Sequence, residues 1–320
     1  MTMFRAILFV TGLAFGFAVH AQDAYPTRFV KLIIPFPAAT SPDVVMRIVG
    51  PQLSQMWGQQ MVIENRVGAA GNIGAGMVAS AQPDGYTLLY TVNSVICANP
   101  HLYTKTMTFD PLKSLAPISL ITNLGYVLVA RNDLPARDLK ELIALAKAQP
   151  GKLTYSSAGA GVGTHIVMEL FLGMTGTRML HIPMSTPALN AVYGGETDLT
   201  MTPYTTGVPA AKGGKARALG VSLARRLDSL PEVPAIGEVV PGYVGDAWHG
   251  LFAPAGTPQP IIDKLAADFA KVLAMPEVRK RLTDIGLEPV GTTPAQFAAI
   301  VKNDHAKWGE VIRNANIKLD

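Results

Sequence analysis

Hydroxyls, glycines and small side chains gather at three places in this chain where an apolar run gives way to a helical pattern. The first is Pro35-Phe36-Pro37-Ala38-Ala39-Thr40-Ser41-Pro42-Asp43. Small residues there leave backbone N–H groups accessible beside a helix start, an arrangement that attracts an anion such as a carboxylate. An ordinary βα turn, with Asp43 as the helix N-cap, accounts for the same residues equally well. The second is Tyr155-Ser156-Ser157-Ala158-Gly159-Ala160-Gly161-Val162-Gly163-Thr164-His165. Its glycines fall as G-x-G-x-G, and no acidic residue follows at the dinucleotide offset, so the pattern suits a small anion better than a nucleotide. A flexible turn is the competing reading. The third, Gly68 to Gly76, lacks the Lys-Ser/Thr ending of a phosphate loop and reads as close helix packing.

Enzyme signatures are sparse. The chain has no G-x-S-x-G elbow and no H-E-x-x-H helix. A Ser157–His165–Asp198 triad can be drawn, giving a hydrolase or isomerase as the alternative function, but spacing alone does not bring three residues together. The six histidines show no paired ligand spacing, and the single cysteine, Cys97, can form neither an internal disulfide nor a Cys-based zinc site. No metal and no cofactor are expected. Cys97 sits among apolar residues and reads as a buried small hydrophobe. Trp248, ahead of Gly250-Leu251-Phe252-Ala253-Pro254, can wall a cleft or fill a core.

The elements that must carry these loops alternate along the chain. Strand signals fall at 29–34, 61–64, 86–90, 126–130, 153–157, 179–182, 199–202 and 218–222. Helical spacing follows Asp43, with Pro51 expected to kink that helix. Asp138-Leu139-Lys140-Glu141 and Thr293-Pro294-Ala295-Gln296 have capping-box form, and apolar residues recur at helical spacing over 258–275. Alternating β and α elements imply parallel sheets with crossover helices, and ligands of such sheets gather at the carboxyl ends of the strands.

Composition narrows the classes further. At 320 residues, 49% hydrophobic and 16% charged, the chain suits two ordered domains rather than a disordered one. A net charge of +4, without a Lys/Arg run, argues against a nucleic-acid partner. Arg5, the apolar run 6–18 and Val19-His20-Ala21 form a secretory signal pattern with cleavage expected after Ala21. The run is shorter than the roughly 20 residues a membrane span needs, so export with no stable membrane insertion after cleavage is expected.

With these residues in view, the chain resembles the substrate-binding proteins of tripartite tricarboxylate transporters, the Bug group of extracytoplasmic solute receptors. The resemblance rests on Pro35-Phe36-Pro37-Ala38 with Asp43 and Arg47, Val62-Ile63-Glu64-Asn65-Arg66, Gly71-Asn72-Ile73-Gly74 and Pro83-Asp84-Gly85-Tyr86-Thr87-Leu88. It continues through Pro150-Gly151-Lys152-Leu153, Gly194-Gly195, Lys215-Ala216-Arg217-Ala218-Leu219, Ala253-Pro254-Ala255-Gly256-Thr257-Pro258 and Glu288-Pro289-Val290-Gly291. It implies an α/β, two-lobed periplasmic binding protein of type II, each lobe a mixed, mostly parallel sheet flanked by helices. After a signal peptide at 1–21, residues 22–124 and 247–320 would form lobe 1 and residues 125–246 lobe 2. The crossings would fall near Ile121–Val127 and Tyr243–Gly250.

The function implied is capture of a small organic acid between the lobes, by a monomer without catalysis, for delivery to membrane subunits of a tripartite tricarboxylate transporter; a sensory receptor is a further alternative. The ligand would meet Phe36, Ala38, Ala39, Thr40, Ser41, Asp43 and Asn93 from one lobe. From the other it would meet Ser157, Ala158, Gly159, Gly161, Thr164, His165, Met184 and Thr202, with Trp248 packing on its body. Departures from the family pattern concern the ligand. Ala39-Thr40 replaces two glycines and Pro42 a hydroxyl residue. Met184 and Ser185 replace a tyrosine and a lysine in His181-Ile182-Pro183-Met184-Ser185-Thr186, and Thr202 replaces an acid. These changes favour a more apolar or aromatic distal group on the ligand.

Overall fold

The computed structural model describes residues 25–184 and 186–319. The expected signal peptide and its cleavage point lie outside them. The chain first builds β1 (Val30–Ile34), α1 (Ser41–Trp57), β2 (Met61–Asn65), α2 (Asn72–Ala79) and β3 (Thr87–Val92). A π-turn at Ser94–Ala98, short helices α3 (Asn99–Leu102) and α4 (Pro111–Ser114), and β4 (Leu115–Leu124) follow. It then crosses to a second sheet with β5 (Tyr126–Ala130), α5 (Leu139–Ala148), β6 (Thr154–Ser157), α6 (Gly163–Thr175) and β7 (Leu180–Pro183). That sheet is completed by α7 (Ala188–Tyr193), β8 (Leu199–Pro203), α8 (Tyr204–Lys212) and β9 (Arg217–Val221). The chain returns through β10 (Ala247–Pro254), α9 (Gln259–Ala274), α10 (Pro276–Asp284), β11 (Glu288–Pro289) and α11 (Pro294–Asn314).

Among the described residues the first sheet has six strands in the order β11-β4-β10-β3-β1-β2 and the second five in the order β7-β6-β8-β5-β9. β1 pairs in parallel with β2 and β3, while β10 runs antiparallel to β3 and β4. β6 is parallel to β7 and β8, and β5 antiparallel to β8 and β9. Most strands of each sheet therefore point one way, and a few returning strands make the sheets mixed. The alternation of strand and helix signals gives no sign of β4 and β10. Every residue of β10 is buried, so it lacks the polar alternation of a half-exposed strand, and Gly250 and Pro254 read locally as turn residues.

Local chemistry explains the helices that position the loops. Pro42 opens α1 in the first turn and Gly58 closes it in a left-handed conformation at φ 64°. α1 runs through Pro51 as one helix. Asp138 caps α5 by accepting from the Glu141 amide, and Thr293 with Gln296 forms the reciprocal box that starts α11.

Register turns the strand ends that carry both candidate loops toward the crossing between the sheets. β4 ends at Leu124 opposite Ala247, β10 pairs His249 with Val92, and β3 pairs Leu89 with Ile33. The carboxyl ends of β1, β3 and β4 thus share one edge, where the chain crosses at Gly125. β5 starts at Tyr126 opposite Pro203, and β8 aligns Thr200 with Ser156. The ends of β6, β7 and β8 therefore meet the same crossing from the other side. Ser222 ties the strands there, its hydroxyl accepting from the Tyr126 amide at 2.8 Å and its amide donating to the Tyr126 carbonyl at 2.9 Å. The Tyr204 ring packs where a side chain at Gly125 would lie. One apolar core runs across both sheets, joining Leu89, Ile96, Phe252 and Phe297 to Leu128, Tyr155, Phe171 and Tyr243.

Candidate functional site

The first-lobe loop is organised by Asp43, which is 1% exposed. It is not the N-cap: Thr40 takes that position and the helix begins at Ser41. From inside the first turn the Asp43 carboxylate accepts from the Ala39 amide at 2.9 Å, from Arg47 Nε at 2.8 Å and from Asn65 Nδ2 at 3.1 Å. Asn65 also donates to the Phe36 carbonyl at 3.0 Å, which stitches the loop to β2. Burial opposes ionisation of Asp43, but hydrogen bonds from Arg47, Ala39 and Asn65 outweigh it and hold the carboxyl below its ordinary range. Ala39 is bent into the left-handed region at φ 64°.

No side chain caps α1, and the amides of a helix's first turn have no intrahelical acceptor. Ser41 Oγ is buried there without a hydrogen-bond partner among the described residues. The α1 start thus offers amides, a hydroxyl and the positive end of a 17-residue helix. Asn93, buried at the end of β3, reaches the same crevice edge.

The second-lobe loop is closed on itself. Ala158 N–H donates to Thr164 Oγ1 at 3.1 Å, Gly159 N–H to Ser157 Oγ at 3.1 Å, and Gly161 N–H to His165 Nδ1 at 2.9 Å. These three amides, like that of Ala39, are already committed inside their own loops, which corrects the expectation that they stand free for a carboxylate. The His165 amide donates to the Val162 carbonyl at 2.9 Å, so the donors left are the Thr164 hydroxyl proton and the amides of Gly163 and Thr164 at the start of α6. Met184 follows β7 and donates its amide to the Ser157 carbonyl at 2.9 Å. Thr202, 5% exposed, pairs with Thr206 at 2.7 Å between hydroxyl oxygens. A cavity of about 510 Å³ is lined by second-lobe residues alone, among them Ala158, Thr164, Thr202, Leu189, Pro209, Ala210 and Lys215, with no carboxylate in its lining.

Two sequence expectations are corrected here. Trp248 does not wall the cleft: it is 1% exposed, its indole N–H donates to Asp304 of α11 at 2.7 Å, and its ring packs edge-on to Phe297 at 5.0 Å. Its backbone lies beside the crossing, but its ring lies under α11. The Ser157–His165–Asp198 triad is not assembled. Asp198 precedes β8, where it accepts from Arg131 Nε at 2.9 Å and the Thr154 amide at 2.8 Å. His165 Nδ1 is occupied by Gly161, and Ser157 Oγ is fully buried. The residue sequence reasoning missed is His181, whose Nε2 lies 2.6 Å from Ser157 Oγ. Parallel pairing of β6 with β7 sets that contact, and only a predicted register could have suggested it. Cys97 is buried as expected, burial pushing its thiol up.

Two mixed α/β sheets, joined by crossings toward which the strand ends carrying two anion-suited loops turn, define a two-lobed solute-binding protein of the periplasmic type. The chain belongs to the tripartite tricarboxylate transporter receptor family, whose model matches residues 45–317. It is 33% identical over 294 residues to a protein encoded in the tcbD–tcbE intergenic region of Pseudomonas sp. strain P51, covering 91% of this chain and 87% of that one. It is 31% identical to BugT of Bordetella pertussis, covering 100% and 99%. Among solved structures, an R. palustris protein with adipate matches at 33% identity and TM-score 0.79, covering 92% of this chain and all of that one. MatC of Rhodopseudomonas palustris with bound malate matches at 32% identity and TM-score 0.75, covering 90% and 100%. Among the described residues no helix is long and apolar enough to cross a membrane.

Proposed function

We propose that this protein captures a small organic acid in the crevice between its lobes and hands it to the membrane subunits of a tripartite tricarboxylate-type transporter. The observation that carries this is the uncapped start of α1, with the buried, unpartnered Ser41 hydroxyl, at the edge where the lobes meet. A carboxylate there accepts hydrogen bonds that no protein group takes, next to the positive end of the helix. Residues 22–124 with 247–320 act as one lobe and 125–246 as the other. They hinge at Gly125 and at the return into β10. Phe36, Ala38, Thr40, Ser41 and Asn93 serve the ligand from the first lobe, and Thr164, Met184 and Thr202 from the second. The apolar wall of Leu189, Pro209 and Ala210 suits an aliphatic or aromatic distal group. The chain is exported, cleaved after Ala21, and works as a monomeric receptor without catalysis.

Calorimetric titration with adipate, malate and aromatic monocarboxylates tests the reading. Saturable one-site binding with the acid recovered unchanged is expected. Failure of every acid to bind refutes it, as does turnover of an ester or acid that Ser157→Ala abolishes.

A further inference from the structure

The loop at Ser157–His165 is shaped by two imidazoles from different elements. His165 lies in α6 and His181 in β7, and their rings stack with centroids 3.9 Å apart and planes 8° apart. Tyr155, on β6, continues the stack at 4.9 Å from His181. The donors and acceptors define the proton inventory. His165 Nδ1 accepts the Gly161 N–H, so its proton sits on Nε2. Ser157 Oγ donates to the Gly159 carbonyl at 2.9 Å and accepts the Gly159 amide. It therefore takes the short contact at 2.6 Å as an acceptor from His181 Nε2–H. His165 is neutral in this network, and each ring has one nitrogen spent on the loop.

We propose that His181 is a positioning residue for the second-lobe ligand loop and that ligand capture requires its stacking neighbour His165 to stay neutral. Protonated His165 presents an N–H to the Gly161 N–H and loses that bond. Protonated His181 sets a cation face to face with its neighbour. The first change releases Gly161, whose positive φ of 75° holds the loop's shape, whereas the second keeps the Nε2–H bond to Ser157 and acts only by charge on the stacked ring.

The surrounding groups do not supply a counter-charge that rescues the cation. Glu169 of α6 lies 3.7 Å from His165 Nε2, but its carboxyl is hydrogen-bonded by the Tyr155 hydroxyl and burial raises its pKa. Arg178, and Lys307 and Glu310 of α11, line the cavity beside Glu169. Burial, and the neighbouring His181, push His165 down to about 4, and burial lowers His181.

The inference rests on the carboxylate-receptor reading, and its test separates the two. Adipate is titrated calorimetrically into wild type, His181→Phe, His181→Gln and a His165→Asn/His181→Gln double variant between pH 7.5 and 4.5, with melting curves confirming the fold. At pH 7.5 His181→Phe is expected to weaken binding about tenfold, the worth of one hydrogen bond to the loop, and His181→Gln, which keeps a donor, to restore most of it. On acidification wild type is expected to lose affinity relative to the double variant, by a factor that grows as the pH falls toward His165's value of about 4, a ratio from which adipate's own titration cancels. A constant ratio, tighter wild-type binding at low pH, or His181→Phe binding as wild type overturns the inference and leaves the receptor reading standing. No binding by wild type at pH 7.5 to adipate, malate or the aromatic monocarboxylates overturns both.

Discussion

Replacing Asp43 by alanine removes the acceptor on which the first-lobe loop is built. The Ala39 amide and the Asn65 amide lose their partner in a site where Asp43 is 1% exposed. Arg47 is 57% exposed and returns to water at little cost. Counting two donors left short of a partner at roughly 1–2 kcal/mol each gives a loss of about 3 kcal/mol. For a chain of this size that corresponds to a melting point lowered by about 5 °C. Because the folded carboxyl is held below its ordinary value of 3.8, its contribution is present above that value and fades as pH falls through the folded one. The gap between wild type and Asp43→Ala is therefore expected to be constant from pH 7 to 5 and to narrow below about pH 4. Scanning calorimetry across that range measures it. Adipate titration is expected to show affinity falling at least about tenfold, since the turn carrying Ala38 and Ser41 loses its brace. Asp43→Asn, which keeps one acceptor, should recover part of both losses. A variant that melts within about 1 °C of wild type and binds adipate equally well refutes this account of the loop.

Ala39→Gly should raise stability by about 0.5 kcal/mol, because relief of the left-handed strain at φ 64° exceeds glycine's entropic cost; an unchanged or lower melting point counts against strain there. Trp248→Phe should lower stability by about 2 kcal/mol through lost packing and the vacated Asp304 bond, while adipate affinity stays within about twofold. A large loss of affinity without loss of stability would return Trp248 to the ligand.

The two loops are legible in the sequence because their signals are local. A β-rich run, then small residues, then a helix start fall within a dozen positions, and the physics of a strand end feeding a helix N-terminus needs nothing from elsewhere. Capping at Asp138 and Thr293 is legible for the same reason. Which amides remain free is not, since that depends on how Ser157, Thr164, His165 and Asp43 turn back on their own loops. Trp248 reads identically as wall or core until α11, 56 residues further on, supplies Asp304. His181 stays silent because its partner Ser157 is reached only through the β6–β7 register.

What the sequence determined by itself is the kind of molecule: an exported-type leader pattern, alternating α/β elements, and two small-residue loops at strand ends. The tertiary structure decided which way the sheets run, that the strand ends carrying both loops face the crossing, and which loop groups are already hydrogen-bonded. The division is physical. Turns, caps and strand propensity are settled by neighbours a few bonds away, whereas strand order, ring stacking and the burial of Ser41, Asp43 and Trp248 come from segments that meet only after the chain has crossed between its sheets and returned.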